Sequence, residues 1–209
     1  MVREVTPKTV YWLGDRLYLN ITNQCTNDCV FCIRRFWPGV GGFNLRLTVE
    51  PEPSRIVSEL MQVLNMRNWR EVVFCGFGEP TARLNCLVDL TRWIRMHYHK
   101  PLCIRVDTNG HGYVLNSDVA VVDELKHSGV DKVSVSLNAY SEETYREVCR
   151  PKFEGAYAAT LNFINKAKEA LPVEVTCVAA PEVDVQRIRE VVSCLNVPFR
   201  VRAYIPGFL

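Results

Sequence analysis

Six strand-like runs alternate with helical ones along the 209-residue chain, and that order leaves few folds open. The runs are 16–21, 72–75, 104–107, 132–137, 173–178 and 199–203, rich in Val, Ile, Leu and Phe. Helical patterns fill 85–97, 117–128, 142–148, 156–170 and 184–195. A further run, 9–13, meets 16–21 across Gly14-Asp15 and reads as a tight hairpin. Strand–helix alternation of this kind means a parallel sheet with crossover helices. Right-handed crossovers then curl the sheet one way. Two architectures satisfy the pattern, an open doubly wound sheet and an incomplete barrel of six β/α units. A full eight-unit barrel takes about 250 residues, more than the chain has.

Local signals punctuate the helices. Ser54 reads as the cap of a helix whose apolar face carries Ile56, Val57, Leu60 and Leu64. Ser117-Asp118 and Ser141 read as two more start signals, and Gly129 as a stop. Gly39-Val-Gly41-Gly42 lacks the spacing and the preceding strand of a nucleotide loop, and reads as a flexible loop.

Composition bounds the partners. The net charge is +2, from 25 basic and 23 acidic residues, which gives no electrostatic case for nucleic acid or an anionic membrane. No run reaches about 18 apolar residues, and Met1 to Pro7 carries no apolar leader segment, so a cytoplasmic protein is expected. Nine cysteines, an odd number without an export signal, read as reduced thiols. Six of them, Cys75, Cys86, Cys103, Cys149, Cys177 and Cys194, read mostly as small buried hydrophobes.

The other three share one polar loop directly after the first barrel strand: Cys25-Thr-Asn-Asp-Cys29-Val-Phe-Cys32. Three thiolates fill three corners of a cubane iron–sulfur cluster and leave one iron open. Structural zinc wants four ligands, and no second cysteine pair is present, so zinc with a distant fourth ligand is the weaker alternative. In parallel β/α folds ligands bind at the C-terminal strand ends. There the chain places Gly76-Phe77-Gly78-Glu79-Pro80, Thr108-Asn109-Gly110, Asn138-Ala139-Tyr140, Ala179-Ala180-Pro181 and Tyr204-Ile-Pro206-Gly207. Glycine lets backbone approach a ligand closely, and Glu79 suits an ammonium partner.

These motifs resemble the radical S-adenosylmethionine (SAM) superfamily, in the cysteine spacing with Phe31 before the last cysteine and in Gly76-Phe-Gly-Glu-Pro80. The wording of both is most similar to the small radical SAM proteins associated with TatD-type hydrolases. The resemblance spans essentially the whole chain and implies a single domain over 1–209, a partial (β/α)6 TIM-like barrel preceded by the hairpin. It implies a [4Fe–4S] cluster on Cys25, Cys29 and Cys32, with SAM on the fourth iron. It implies Glu79 and the backbone of Gly76, Phe77 and Gly78 for the methionyl ammonium. It implies Asn109 for the same cofactor site. Ser136 and Asn138 are implied for ribose or carboxylate, Arg150 for carboxylate, and Phe31 and Ala180 for adenine. The activity implied is reductive cleavage of SAM to a 5′-deoxyadenosyl radical that takes hydrogen from a small molecule or a partner protein. An electron donor such as flavodoxin or ferredoxin is implied with it. Phe77 departs from the usual Gly-Gly-Glu motif. The chain also stops soon after its last strand, so its open edge is expected to lack cover. Arg34, Arg35, Arg200, Arg202 and Tyr204 are weak candidates for receiving an anionic or aromatic group.

Overall fold

The computed structural model describes residues 6–206; the N-terminal leader reading over residues 1–5 and the last glycine of the sixth strand end, Gly207, lie outside them. Strands β1 (Val10–Leu13) and β2 (Arg16–Leu19) form the expected antiparallel hairpin, with Gly14 at φ +61° in its turn. A two-stranded ribbon follows, β3 (Gly39–Val40) with β4 (Phe43–Asn44). Gly41 and Gly42 take φ +58° and +83°, so the stretch expected to be a flexible loop is a second tight hairpin. Helix α1 (Pro53–Val63), β5 (Glu71–Phe74), α2 (Leu84–His97) and β6 (Cys103–Thr108) come next. They lead into α3 (Gly112–Leu115), α4 (Val121–Ser128) and β7 (Lys132–Ser136). The chain closes with α5 (Glu142–Cys149), α6 (Ala156–Ala167), β8 (Val173–Val178), α7 (Val185–Leu195) and β9 (Phe199–Arg202).

The seven-stranded sheet runs β1-β2-β5-β6-β7-β8-β9, antiparallel only at β1. The order never reverses. A doubly wound sheet needs a reversal point, so the strand order selects the partial barrel that periodicity left open. Side chains obey the two-residue period across all six parallel strands. Leu17, Leu19, Val72, Phe74, Ile104, Val106, Val133, Val135, Val175 and Cys177 pack under the helices, against Ile56, Leu60, Leu87, Ile94, Leu125, Phe163 and Ile188. Each such buried aliphatic chain contributes roughly 1.5–3 kcal/mol. The alternate positions face away from the helices and are mostly polar or charged, among them Arg16, Tyr18, Glu71, Arg105, Asp107, Lys132, Ser134, Ser136, Glu174, Arg200 and Arg202, with Val73, Cys103 and Val178 as apolar members.

Two helix starts differ from the sequence expectation. Helix α1 begins at Pro53 with Glu52 as its cap residue, not Ser54. Proline has no N–H to satisfy and its φ suits the first helical position. Ser117-Asp118 does not start a helix; the short α3 precedes it and α4 begins only at Val121. Ser141 does cap α5, in a box with Thr144, and Gly129 ends α4 at φ +106°. No helix among the described residues is long and apolar enough to cross a membrane.

Candidate functional site

The three-cysteine loop leaves β2 on the rim formed by the C-terminal ends of the parallel strands, and neighbours lock it from several sides. From α5, Asp28 N–H donates to Cys149 O (3.0 Å) and Arg150 O (3.2 Å), and Val30 N–H to Val148 O (3.0 Å). Lys152 N–H donates to Thr26 O at 2.9 Å, and Asn27 bridges Pro151. From β5, Glu79 N–H donates to Gln24 O at 2.7 Å. Arg34 folds back over the loop, onto Asn27 O (2.9 Å) and Asp28 Oδ1 (3.3 Å).

The glycines of the β5 end have a specific reason. A Cβ on Gly78 would stand 2.5 Å from both Thr22 O and Gln24 O, and one on Gly76 would stand 2.8 Å from Asn20 Cα. The close approach is therefore to the chain entering the cysteine loop, not only to a prospective ligand. Phe77 turns toward Tyr11 and Leu45, under a cover that includes Val40 and Phe43 of the β3–β4 hairpin.

Glu79 is buried and accepts four hydrogen bonds. Oε1 takes Thr81 N–H (3.1 Å), Thr81 Oγ1 (2.7 Å) and Thr108 Oγ1 (2.7 Å); Oε2 takes Asn109 N–H (2.7 Å). Burial raises its pKa and these donors oppose the rise. The carboxylate thus ties the ends of β5 and β6 together. Asn109 continues the link, its Nδ2 donating to Thr26 Oγ1 at 2.8 Å and approaching Cys25 Sγ at 3.8 Å.

Beneath the loop lies a buried polar chain that sequence reasoning missed. Thr26 Oγ1 sits 2.7 Å from His111 Nδ1, and His111 Nε2 lies 3.1 Å from both Ala156 O and Tyr145 Oη. Ala156 O only accepts, so Nε2 carries the proton and Nδ1 accepts from Thr26. Asn27 Nδ2 donates to Tyr145 Oη at 2.9 Å. Burial lowers the His111 pKa to about 4, so the ring is neutral. Two residues in this set were readable only as core: Tyr145, at helical spacing from Cys149, and Cys149 itself, against which Cys29 packs.

The three thiols are half-buried and free. Burial, then the Glu79 carboxylate, pushes Cys25 up to about 12. The Cys149 thiol and then burial raise Cys29, and burial raises Cys32. Arg34 pulls all three the other way. Thiols in this setting ionise when a cation takes the charge, and Asn27 N–H (3.4 Å from Cys25 Sγ) with Asn109 Nδ2 supplies donors to the sulfur. Among the described residues no three His, Cys, Asp or Glu side chains gather around one point as ligands of a single ion would. A cubane does not ask for that, since each cysteine takes its own iron. The donor set fits a cluster.

The remaining expected residues are dispersed. Asn138 is buried, its Oδ1 accepting from Val178 N–H at 2.9 Å, and Ser136 Oγ accepts from Arg202 Nη2 at 3.1 Å. Ala180 and Phe31 belong to the main core. Arg150 ends α5 in the left-handed region at φ 47°, with its side chain exposed and its carbonyl held by Asp28. Arg34 and Arg35 pair with Asp28, at 3.3 and 2.8 Å, beside a cavity of ≈ 340 Å³ that Arg46 and Phe77 also line. Trp37 Nε1 donates to Pro206 O at 3.0 Å, so the chain leaving β9 crosses to the segment after the cysteines.

Comparison with known proteins matches this architecture. The chain is 30% identical over 135 residues to the GTP 3',8-cyclase of Paenarthrobacter nicotinovorans, covering 65% of this chain and 35% of that protein. It is 25% identical over 132 residues to a probable GTP 3',8-cyclase of Pyrococcus abyssi, covering 63% and 37%. The chain thus spans about a third of the length of these relatives. Among solved structures, HydG, a maturase of the [FeFe]-hydrogenase, superposes with a TM-score of 0.66 at 18% identity, over 92% of this chain and 43% of that one. Methylornithine synthase superposes at 0.61 and 17% identity, over 92% and 54%. The Radical SAM superfamily model matches residues 19–195, and the chain belongs to that superfamily, whose members use a [4Fe–4S] cluster and SAM.

Proposed function

We propose that this chain is a radical SAM enzyme with its cluster on Cys25, Cys29 and Cys32, acting on a substrate held against the helix-free face of the sheet. One observation carries the reading: the three-thiol loop is seated directly on the Gly76–Glu79 strand end, through Glu79 N–H to Gln24 O at 2.7 Å. When bound, the reduced cluster and SAM supply a 5′-deoxyadenosyl radical that takes a hydrogen atom from the substrate. The protein's own residues hold and orient. The locked loop fixes where the thiolates stand. Glu79 Oε2 has one donor and keeps capacity for the methionyl ammonium, beside the backbone of Gly76, Phe77 and Gly78. Asn138 Nδ2 is left to meet ribose or carboxylate, while the Asn109 side chain, engaged with Thr26 Oγ1, Cys25 Sγ and His111 N–H, braces the cysteine loop beside it. Ser136, implied for ribose or carboxylate, accepts from Arg202 and keeps its own hydroxyl proton to give. A one-electron donor of the flavodoxin or ferredoxin type supplies the electron.

Anaerobic reconstitution should load about four irons per chain. With a strong reductant, SAM should yield 5′-deoxyadenosine and methionine. Each of Cys25→Ala, Cys29→Ala and Cys32→Ala should lose the cluster while Cys149→Ala keeps it. A protein that takes up zinc alone and leaves SAM intact overturns the reading.

A further inference from the structure

The helix-free face carries five strand cations, and four of them already have carboxylate partners. Arg16, Arg105 and Lys132 converge on Glu71, at 3.0, 3.1 and 2.5 Å. Arg105 also meets Asp107 at 2.8 Å. Arg200 grips Glu174 with two nitrogens, Nε at 3.0 Å and Nη2 at 2.7 Å. Arg202 is the exception: among the described residues no carboxylate stands within ion-pair distance of it, and Asp107, already paired with Arg105, acts on it only from farther away. Its Nη2 donates to Ser136 Oγ at 3.1 Å, and its Nε is buried with no hydrogen-bond partner. A buried guanidinium N–H without an acceptor is costly, and the usual remedy is an oxyanion.

Position points the same way. Arg202 ends β9 in register with Val178 of β8, and Ser136 ends β7, so both stand at the strand ends that carry the cysteine loop. Ser136 Oγ accepts from Arg202 and still has its own hydroxyl proton to give. A guanidinium fork beside a serine hydroxyl is a recognition pair for carboxylate or phosphate oxygens. Arg34, Arg35 and Arg200, the other arginines that the sequence offers for such a role, are already held by Asp28 and Glu174.

We propose that Arg202 and Ser136 form the anchor for an anionic group, carboxylate or phosphate, of the molecule that gives up the hydrogen atom. The inference rests on the reading of the helix-free face as the substrate chamber. It is tested by footprinting the reconstituted protein with the arginine reagent phenylglyoxal and locating adducts by tandem mass spectrometry. Inorganic phosphate, acetate and SAM are added separately, at ionic strength matched with chloride. Phosphate or acetate should protect Arg202 several-fold, and which of them protects assigns the group as phosphate or carboxylate. Arg35 in the same digest should be unchanged, and Ser136→Ala should lose most of the protection. Three results overturn the proposal: no protection by either anion beyond chloride, equal protection in Ser136→Ala, or protection of Arg202 by SAM alone, which would make it a cofactor residue. Failure to cleave SAM would sink the enzyme reading and leave this footprint interpretable.

Discussion

Replacing Glu79 by alanine tests whether this carboxylate is a structural hub as well as a cofactor group. The substitution strips acceptors from two backbone N–H groups, Thr81 and Asn109, and from two hydroxyls, Thr81 and Thr108. The hydroxyls rotate to other acceptors; the backbone donors, buried with Glu79, do not. Each stranded donor costs about 1–3 kcal/mol. Removing a buried carboxylate whose pKa is raised by desolvation returns part of that. The net loss is about 3 kcal/mol. With a urea slope of about 3 kcal/mol/M for a domain of this size, the unfolding midpoint should fall by about 1 M. Glu79→Gln keeps the shape and the Oε1 contacts but sets an amide N–H against Asn109 N–H, so about half that fall is expected. Urea unfolding of both variants, followed by circular dichroism, gives the comparison. An alanine variant that unfolds at the wild-type midpoint would show that the four contacts are not holding β5 to β6, and the hub argument would be wrong even if SAM binding weakened.

Gly78→Ala should cost about 2–4 kcal/mol, because its Cβ meets two backbone carbonyls at 2.5 Å, whereas Gly14→Ala, with nothing within 4 Å, should cost only the 1–2 kcal/mol of its positive φ. Thermal midpoints of the two variants rank them. Tyr145→Phe leaves Asn27 Nδ2 without its acceptor and should cost about 1–2 kcal/mol, with faster amide exchange at Asp28 and Val30 as the local readout. Asp107 titrates above its ordinary value of 3.8, chiefly through burial, which Arg105 opposes. Its folded state therefore binds the proton more tightly than the unfolded chain does. The stability of wild type relative to Asp107→Asn should be greatest below about pH 3.8 and shrink as pH rises through the raised folded pKa. Unfolding of both proteins from pH 3.5 to 7 would show this, and a difference that widens with pH would contradict it.

What could be read from the sequence follows from what is local. The strands carry their own evidence, because Val133, Val135 and Leu137 alternate with Ser134 and Ser136 whatever the sheet does next. Helix starts are less legible: Ser54 and Ser117 have the right chemistry, and Pro53 and the short α3 outcompete them for the position. The choice between barrel and open sheet was not legible at all, since both impose the same local pattern and differ only in strand order, a long-range property. The site divides along the same line. Three thiols within eight residues announce themselves. Gly76 and Gly78 announce only that a Cβ is excluded, and the excluding body is the chain at Asn20 to Gln24, some 50 residues earlier. Cys149 and Tyr145 look like core because burial selects the same residue types whether the neighbour is a leucine or a prospective ligand thiol. Arg202 illustrates the converse. In sequence it is one arginine in Phe199-Arg-Val-Arg202, equivalent to Arg200. Only the partners supplied by β7 and β8, a serine for one and a carboxylate for the other, tell the two apart and leave Arg202 the strand cation of this face without an ion pair among the described residues. The charge left on this face after the fold has satisfied its own is therefore a quantity that belongs to no single segment.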